Sequence, residues 1–331
     1  MRLRILSKQL EKILLCSAPL GIVGGVILIG IVLHFFADSF VQLLVIYVLI
    51  NMLLALGLNL VSGMTGQLSL GHAGLMAVGA YTSSFFAKQM GFTAQDFHWY
   101  VYLIFNCLGG CSAALVGLLV GAPSLRLRGD YLAIVTLGFG EVIRVLLLNL
   151  EVVGGARGYY DIPGRDHFIT NYLVCLAWVV FLFFLLWRMR FSIRGQQFLA
   201  VRDDELAAQF LGIDIARTKV LAFLVSSFFA GVGGSLFAHF VRYLNPSSFS
   251  FQKSVEIVIM VVLGGSGSIS GAALGAVIVT LLPELLRPIQ DITGFDLRLV
   301  IYAVILILLM IFRPQGLFNR YELKKPKWLM G

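Results

Sequence analysis

Side chains able to do chemistry are few in this sequence, and their surroundings restrict what they can do. His72 stands one helical turn after Ser69 in the charge-free run Ser62-Gly63-Met64-Thr65-Gly66-Gln67-Leu68-Ser69-Leu70-Gly71-His72-Ala73-Gly74. An imidazole so placed either faces a polar path or is a hydrogen-bonded packing residue. Glu141 and Arg144 are three residues apart, so on a helix they share a face and neutralise each other, which is a structural role. Catalysis has no foothold. No paired nucleophile and base and no H-E-x-x-H zinc spacing stands out, and the four cysteines (Cys16, Cys107, Cys111, Cys175) lie inside apolar runs, where they read as small buried side chains. The sequence contains no G-x-x-x-x-G-K-[ST] phosphate loop and no Gly-Lys dipeptide, so ATP hydrolysis by that route is excluded and no enzyme is expected.

The elements that must position these residues are apolar helices. Of 331 residues 59% are hydrophobic and 13% charged, with mean hydropathy +0.92. A soluble domain carries about 45–50% and about 25%. A hydrocarbon core about 30 Å thick takes about 20 residues per helix, so the length predicts an all-α polytopic transmembrane bundle of about 8–10 spans, one domain over 1–331 with no sizeable aqueous part. Soluble enzymes and nucleic-acid binders are excluded. Nine apolar blocks run 13–36, 40–61, 67–87, 100–122, 131–150, 169–187, 220–241, 254–282 and 299–312. The first, at 24 residues, is too long for a signal-peptide core of 7–15 and reads as a retained anchor.

The formal charge of +8 reads as topology, because fifteen of the 25 Lys and Arg fall in three clusters: Arg2 to Lys12, Arg188 to Lys219, and Arg313 to Lys327. Basic residues beside spans mark the cytoplasmic side, so both termini and the 190–219 loop are expected there. Six blocks separate the first two clusters and three separate the last two, and the odd count requires one block to split. The block 254–282 is the candidate, since Gly264-Gly265-Ser266-Gly267-Ser268-Ile269-Ser270-Gly271 sits near its middle. Within that block Glu256 has Lys253 as its helical partner, which places the pair near a membrane edge.

The run 62–74 is the matching interruption in the first half. Paired Gly-rich breaks in the two halves of a transporter mark discontinuous helices beside the substrate path, whereas glycines and serines also serve close helix packing. Both readings stand. The pathway candidates are Gly66, Gln67, Ser69, Gly71, His72, Gly264, Gly265 and Ser266, with Thr136 from the block 131–150.

Between Arg188 and Lys219 the composition turns polar, and Arg202 to Asp214 predicts a short amphipathic helix. Asp203 and Asp204 cap its start, Leu206 with Phe210 and Ala207 with Leu211 give i,i+4 apolar contacts, and Gly212 ends it. A helix this short is unstable alone, so it docks either on the bundle's own rim or in a partner's groove.

That stretch resembles the coupling loop of ABC-importer permeases, whose signature has a Glu, an Ala-Ala pair and a Gly four residues later. Ala207, Ala208 and Gly212 fit, while Glu205 stands one residue further from the pair than in the common form. The runs Thr65 to Ala73, Leu125 to Glu141 and Leu263 to Ser268 narrow the resemblance to LivM-type permease subunits of branched-chain amino-acid importers. One departure is the external loop, where Gly154-Gly155-Ala156-Arg157-Gly158 replaces an Asn-Gly-Pro-type turn.

The resemblance implies a subunit of the bacterial inner membrane that moves hydrophobic amino acids inward by alternating access. Its implied partners are a second, related permease in a heterodimer, two cytoplasmic ATPase subunits that bind the ATP and Mg, and a periplasmic binding protein. This chain itself holds no cofactor or metal and no nucleic acid. Arg202, Asp203, Asp204, Glu205, Ala207, Ala208, Phe210 and Gly212 are then the ATPase-coupling residues. Urea or short amides are the alternative cargo for such a permease. An ion-coupled secondary transporter is the competing class, and it would need intramembrane carboxylates or histidine relays, which are scarce here.

Overall fold

A computed structural model describes residues 38–93, 98–124, 129–165 and 167–287, with single positions at 30, 32, 34, 301, 303, 304, 307, 308, 311, 312, 316 and 317. The two terminal basic clusters, Cys16, most of the first apolar block, half of the last, and residues 125–128 of the run Leu125 to Glu141 lie outside them.

The helices are α1 (Ser39–Asn59), α2 (His72–Gln89), α3 (Trp99–Ser124), α4 (Asp130–Asn149), α5 (Phe168–Arg190), α6 (Ile193–Asp203), α7 (Glu205–Phe210), α8 (Ile215–Val241), α9 (Phe251–Gly264) and α10 (Ile269–Leu285). Among the described residues five stretches are long and apolar enough to cross a membrane: Ser39–Met64, Trp99–Gly121, Tyr131–Asn149, Phe168–Arg190 and Ile215–Val241. Helix α10 is apolar but shorter. The chain is therefore an all-helical, multi-pass bundle, and among the described residues the one β-type pairing is an isolated bridge between Tyr159 and Leu244.

Helices α2, α3 and α8 pack together through small residues. Gly79, Gly109 and Gly231 come so close that a Cβ added at Gly109 would lie 2.8 Å from the Gly79 carbonyl oxygen. Lipid tails are as apolar as leucine, so helices gain from van der Waals contact and small residues permit it. Cys107 and Cys111 point outward from α3 and only Cys175 is buried, which corrects the expectation that all are interior; these three are free thiols.

Block 254–282 does divide. Helix α9 ends at Gly264, Gly265 (φ 112°) and Gly267 (φ 91°) turn the chain, and Ser268 Oγ accepts from the Gly271 N–H to start α10. At about 1.5 Å per residue, the 14 residues of α9 reach only about 21 Å, short of a full crossing.

At the end of the bundle away from α6 and α7, residues 150–165 fold over as two 3₁₀ turns. Gly154, Gly155 and Gly158 all take positive φ there, which a β-branched residue would resist. Arg242 donates to the Gly164 carbonyl at 2.6 Å, and Lys88 to the Tyr160 carbonyl at 3.0 Å, so the departing loop is tied to α2 and α8.

Candidate functional site

Both Gly-rich breaks come to one place. After Asn59 the helix widens into a π turn over Leu60–Met64, where Ser62 Oγ and Thr65 Oγ1 donate to carbonyls four residues back. Gly66 (φ 72°) then turns the chain into an extended segment that lasts to Gly71. The buried Asn59 amide bridges to the second break: its Oδ1 accepts from the Gly267 N–H at 2.9 Å and its Nδ2 donates to the Ser268 carbonyl at 3.1 Å. Ser266 Oγ lies 3.5 Å from the Ser62 carbonyl.

Two arginines close this crossing from the polar side. Arg190, the last residue of α5, donates to the Gly267 carbonyl at 2.7 Å, and Arg202 of α6 donates to the Gly63 carbonyl at 3.0 Å. Each break thus has a carbonyl that its interrupted helix can no longer satisfy, and a guanidinium supplies the donor. A Cβ on Gly66 would lie 2.9 Å from Arg202 Cγ, and one on Gly267 2.7 Å from its Nη1.

From there the extended segment runs inward. Gln67 and Ser69 are buried, and among the described residues neither end of the Gln67 amide finds a partner. The Leu70 N–H donates to Thr136 Oγ1 at 3.1 Å, while that hydroxyl donates to the Ala133 carbonyl at 3.0 Å. A Cβ on Gly71 would meet the Thr136 carbonyl oxygen at 2.5 Å. His72 opens α2 with its ring bonded to the Leu54 carbonyl and its Nε2 without a partner, and the Ala73 N–H donates to Ser254 Oγ at 3.1 Å. Gly71 and Gly264 are therefore close-packing positions, Gly264 standing against the Gly271 backbone, whereas Gln67 and His72 keep unspent polar atoms along the same segment.

The coupling segment departs from the single helix expected over Arg202 to Asp214. Asp203 ends α6 and pairs with Arg202 at 3.2 Å, so it caps nothing. Asp204 alone starts the next helix, its Oδ1 accepting from the Leu206 and Ala207 N–H groups at 2.8 and 3.1 Å. Helix α7 has six residues, and Gly212 (φ 81°) closes it as the Ile213 N–H returns to the Ala208 carbonyl. The Ala pair splits in role: Ala208 is buried against the bundle and Ala207 is exposed. Leu206, Phe210 and Leu211 are 57%, 91% and 79% exposed, an apolar ridge left uncovered by the described residues. Glu205 pairs with Lys219 of α8, whose side chain is only 4% exposed, and so pins α7 to the bundle.

The predicted residues therefore form a chain of contacts and not one pocket. Gly66 and Ser266 meet at the arginine-closed crossing, Gly71, His72 and Thr136 lie deeper, and the α7 residues connect through Arg202. Asn59, Arg190 and Lys219 were not singled out in the sequence. Asn59 was the legible one, as an amide at the edge of a Gly-rich break.

A family model described as the permease component of branched-chain amino-acid transport systems matches residues 39–312. The high-affinity branched-chain amino acid transport system permease LivM of Escherichia coli K12 is 38% identical over 83% of this chain and 70% of its own length. A probable LivM permease of Methanocaldococcus jannaschii is 27% identical over 65% of this chain and 68% of its own. The LivH permease of Salmonella typhimurium is 24% identical over 82% and 92%. No solved structure matches significantly.

Proposed function

The chain belongs to the permease family of branched-chain amino-acid transport systems, and from that premise we propose that it is the membrane subunit of an ATP-driven importer of leucine, isoleucine and valine. The bilayer is the bacterial inner membrane, with both termini and α6–α7 in the cytoplasm and the 150–165 loop outside, an orientation supported by the position of Arg188 to Lys219 at one end of the bundle. A second, related permease pairs with it as a heterodimer; similarity to both LivM and LivH permeases favours two such subunits. Two cytoplasmic ATPases hold ATP and Mg, and a periplasmic binding protein delivers the cargo.

One observation carries the coupling: the exposed ridge of α7 connects by Asp204, Asp203 and Arg202 to the Gly63 carbonyl at the crossing of the two breaks. ATPase closure moves α7, and through Arg202 that motion reaches the non-helical segment Gly66 to Gly71, whose deeper end is held to Thr136 by the Leu70 N–H and followed by the Ala73 N–H on Ser254. Alternating access then requires two arrangements of this crossing.

The test is transport by the reconstituted complex in vesicles. Leucine uptake should follow trapped ATP and the presence of the ATPase. Uptake driven instead by a proton or sodium gradient without ATP would refute the importer reading.

A further inference from the structure

Two ion pairs lie within the helical bundle, each with a partly open side. Glu141 and Arg144 are midway along α4, with Arg144 Nε donating to Glu141 Oε2 at 2.7 Å. Lys253 and Glu256 belong to α9 and pair at 3.0 Å. The second pair was expected near a membrane edge, but Lys253 Nζ also donates to Asn51 Oδ1 at 3.1 Å, and Asn51 lies midway along the span Ser39–Met64, where its Nδ2 donates to Thr280 Oγ1 of α10. Both pairs are therefore at mid-depth, where a charge facing hydrocarbon is strongly unfavourable.

Their burial fits neither bland reading. Side-chain exposures are 27% and 32% for Arg144 and Glu141, and 21% and 35% for Lys253 and Glu256, so one side of each pair is open. The other side is anchored: Glu141 Oε1 accepts from the Phe251 N–H at 3.1 Å, and Lys253 holds Asn51. Glu141 therefore meets the first turn of α9, the turn that also carries Lys253, so the two pairs stand beside each other at the start of α9, and the partly open Val255 and Ile259 follow on the same half-helix. Helix α4 is also the least covered span, 28% of its window being buried against 67% for α8. Charges held rigidly in this way, with an open side, face water or a polar solute and not acyl chains.

We propose that this face of α9 is the stretch of the passage that takes the zwitterionic head of the amino acid. Arg144 and Lys253 attract the carboxylate, Glu141 and Glu256 attract the ammonium, and Val255 and Ile259 carry the aliphatic side chain. The proposal rests on the importer reading and adds to it the residues that handle the cargo's charges. Each internal ion pair keeps its two members charged at mid-depth while the passage is empty, and a zwitterion can insert between them without net charge entering the membrane.

The experiment uses the complete transport complex in vesicles, with radiolabelled leucine as probe. Glu141→Gln and Glu256→Gln keep an acceptor for Phe251 and for Lys253 while removing the charge. Each is expected to lower ATP-driven leucine uptake at least tenfold, with complex assembly and ATP hydrolysis retained. Normal uptake in both variants would overturn the proposal. A second measurement does not depend on their folding: Ile259→Cys should react with a membrane-impermeant charged thiosulfonate during ATP turnover, above the background of the unsubstituted complex, and leucine should slow the reaction. A residue at 259 that stays unreactive throughout would also overturn it. If the unsubstituted complex moves no leucine, the importer reading itself falls, whereas labelling at 259 still reports whether the face is wet.

Discussion

The Arg202 guanidinium donates to the Gly63 carbonyl at 3.0 Å, joining the end of α6 to the π turn that interrupts the first described span. That bond lies across 139 residues of sequence and ties the segment proposed to face the ATPase to the discontinuity in the helix. A charged hydrogen bond of this kind contributes about 1.5–3 kcal/mol, and the carbonyl it serves has left the regular helix ladder.

Arg202→Gln should therefore uncouple the protein. The complex is expected to assemble and hydrolyse ATP, while leucine uptake falls about 10- to 100-fold, in line with the ~1.5–3 kcal/mol at stake. Parallel assays of hydrolysis and uptake on one preparation decide it; proportionate loss of both would make the contact merely structural.

The two alanines of α7 should fail differently. Ala207→Glu places a charge on the exposed ridge, so the permease should reach the membrane and pair with its sister while the ATPase fails to copurify. Ala208→Glu buries an unpaired carboxylate against the chain's own bundle and should lower the yield of folded permease, by several kcal/mol of stability. Copurification of each variant from solubilised membranes separates the outcomes, and identical behaviour would contradict the assignment of the two faces.

Glu205 and Lys219 should not be equivalent partners. Lys219 is 4% exposed and Glu205 29%, so Glu205→Ala strands a buried ammonium, a loss of about 3–5 kcal/mol, while Lys219→Met removes the buried charge and costs less. Thermal unfolding of the detergent-solubilised permease should rank Glu205→Ala below Lys219→Met.

Gly71→Ala is expected to act through packing. The new Cβ would sit 2.5 Å from the Thr136 carbonyl oxygen, so α2 and α4 must separate, at about 1–3 kcal/mol for overpacking. Tm should fall in step with uptake. Lost uptake at unchanged Tm would return Gly71 to the pathway.

Phosphatase reporters fix the orientation. A fusion after Gly212 should be inactive and one within Gly154 to Gly158 active, because in the proposed orientation only the latter is carried outside. Activity after Gly212 would invert the assignment.

The helical, membrane-spanning character was legible in the sequence because lipid leaves a chain few options: runs of about 20 apolar residues span, and backbone groups must be satisfied within the segment. The split of block 254–282 was legible for the same reason, since basic clusters impose parity and glycines remove helix propensity. Gly212 as a helix stop and Asp204 as a cap were local matters of backbone conformation, and local chemistry encodes them.

What sequence left open was every contact between distant segments. Asn59 meeting Gly267 and Ser268, Arg190 and Arg202 closing the breaks, Lys219 holding Glu205, and Lys253 at the middle of α1 all depend on how helices cross, which no period or spacing specifies. What was not foreseen is helix α6, Ile193–Asp203, which ends where Asp203 pairs with Arg202 and Asp204 caps the next helix. Composition determined that this chain lies in a membrane; packing alone decided which of its few charges touch one another.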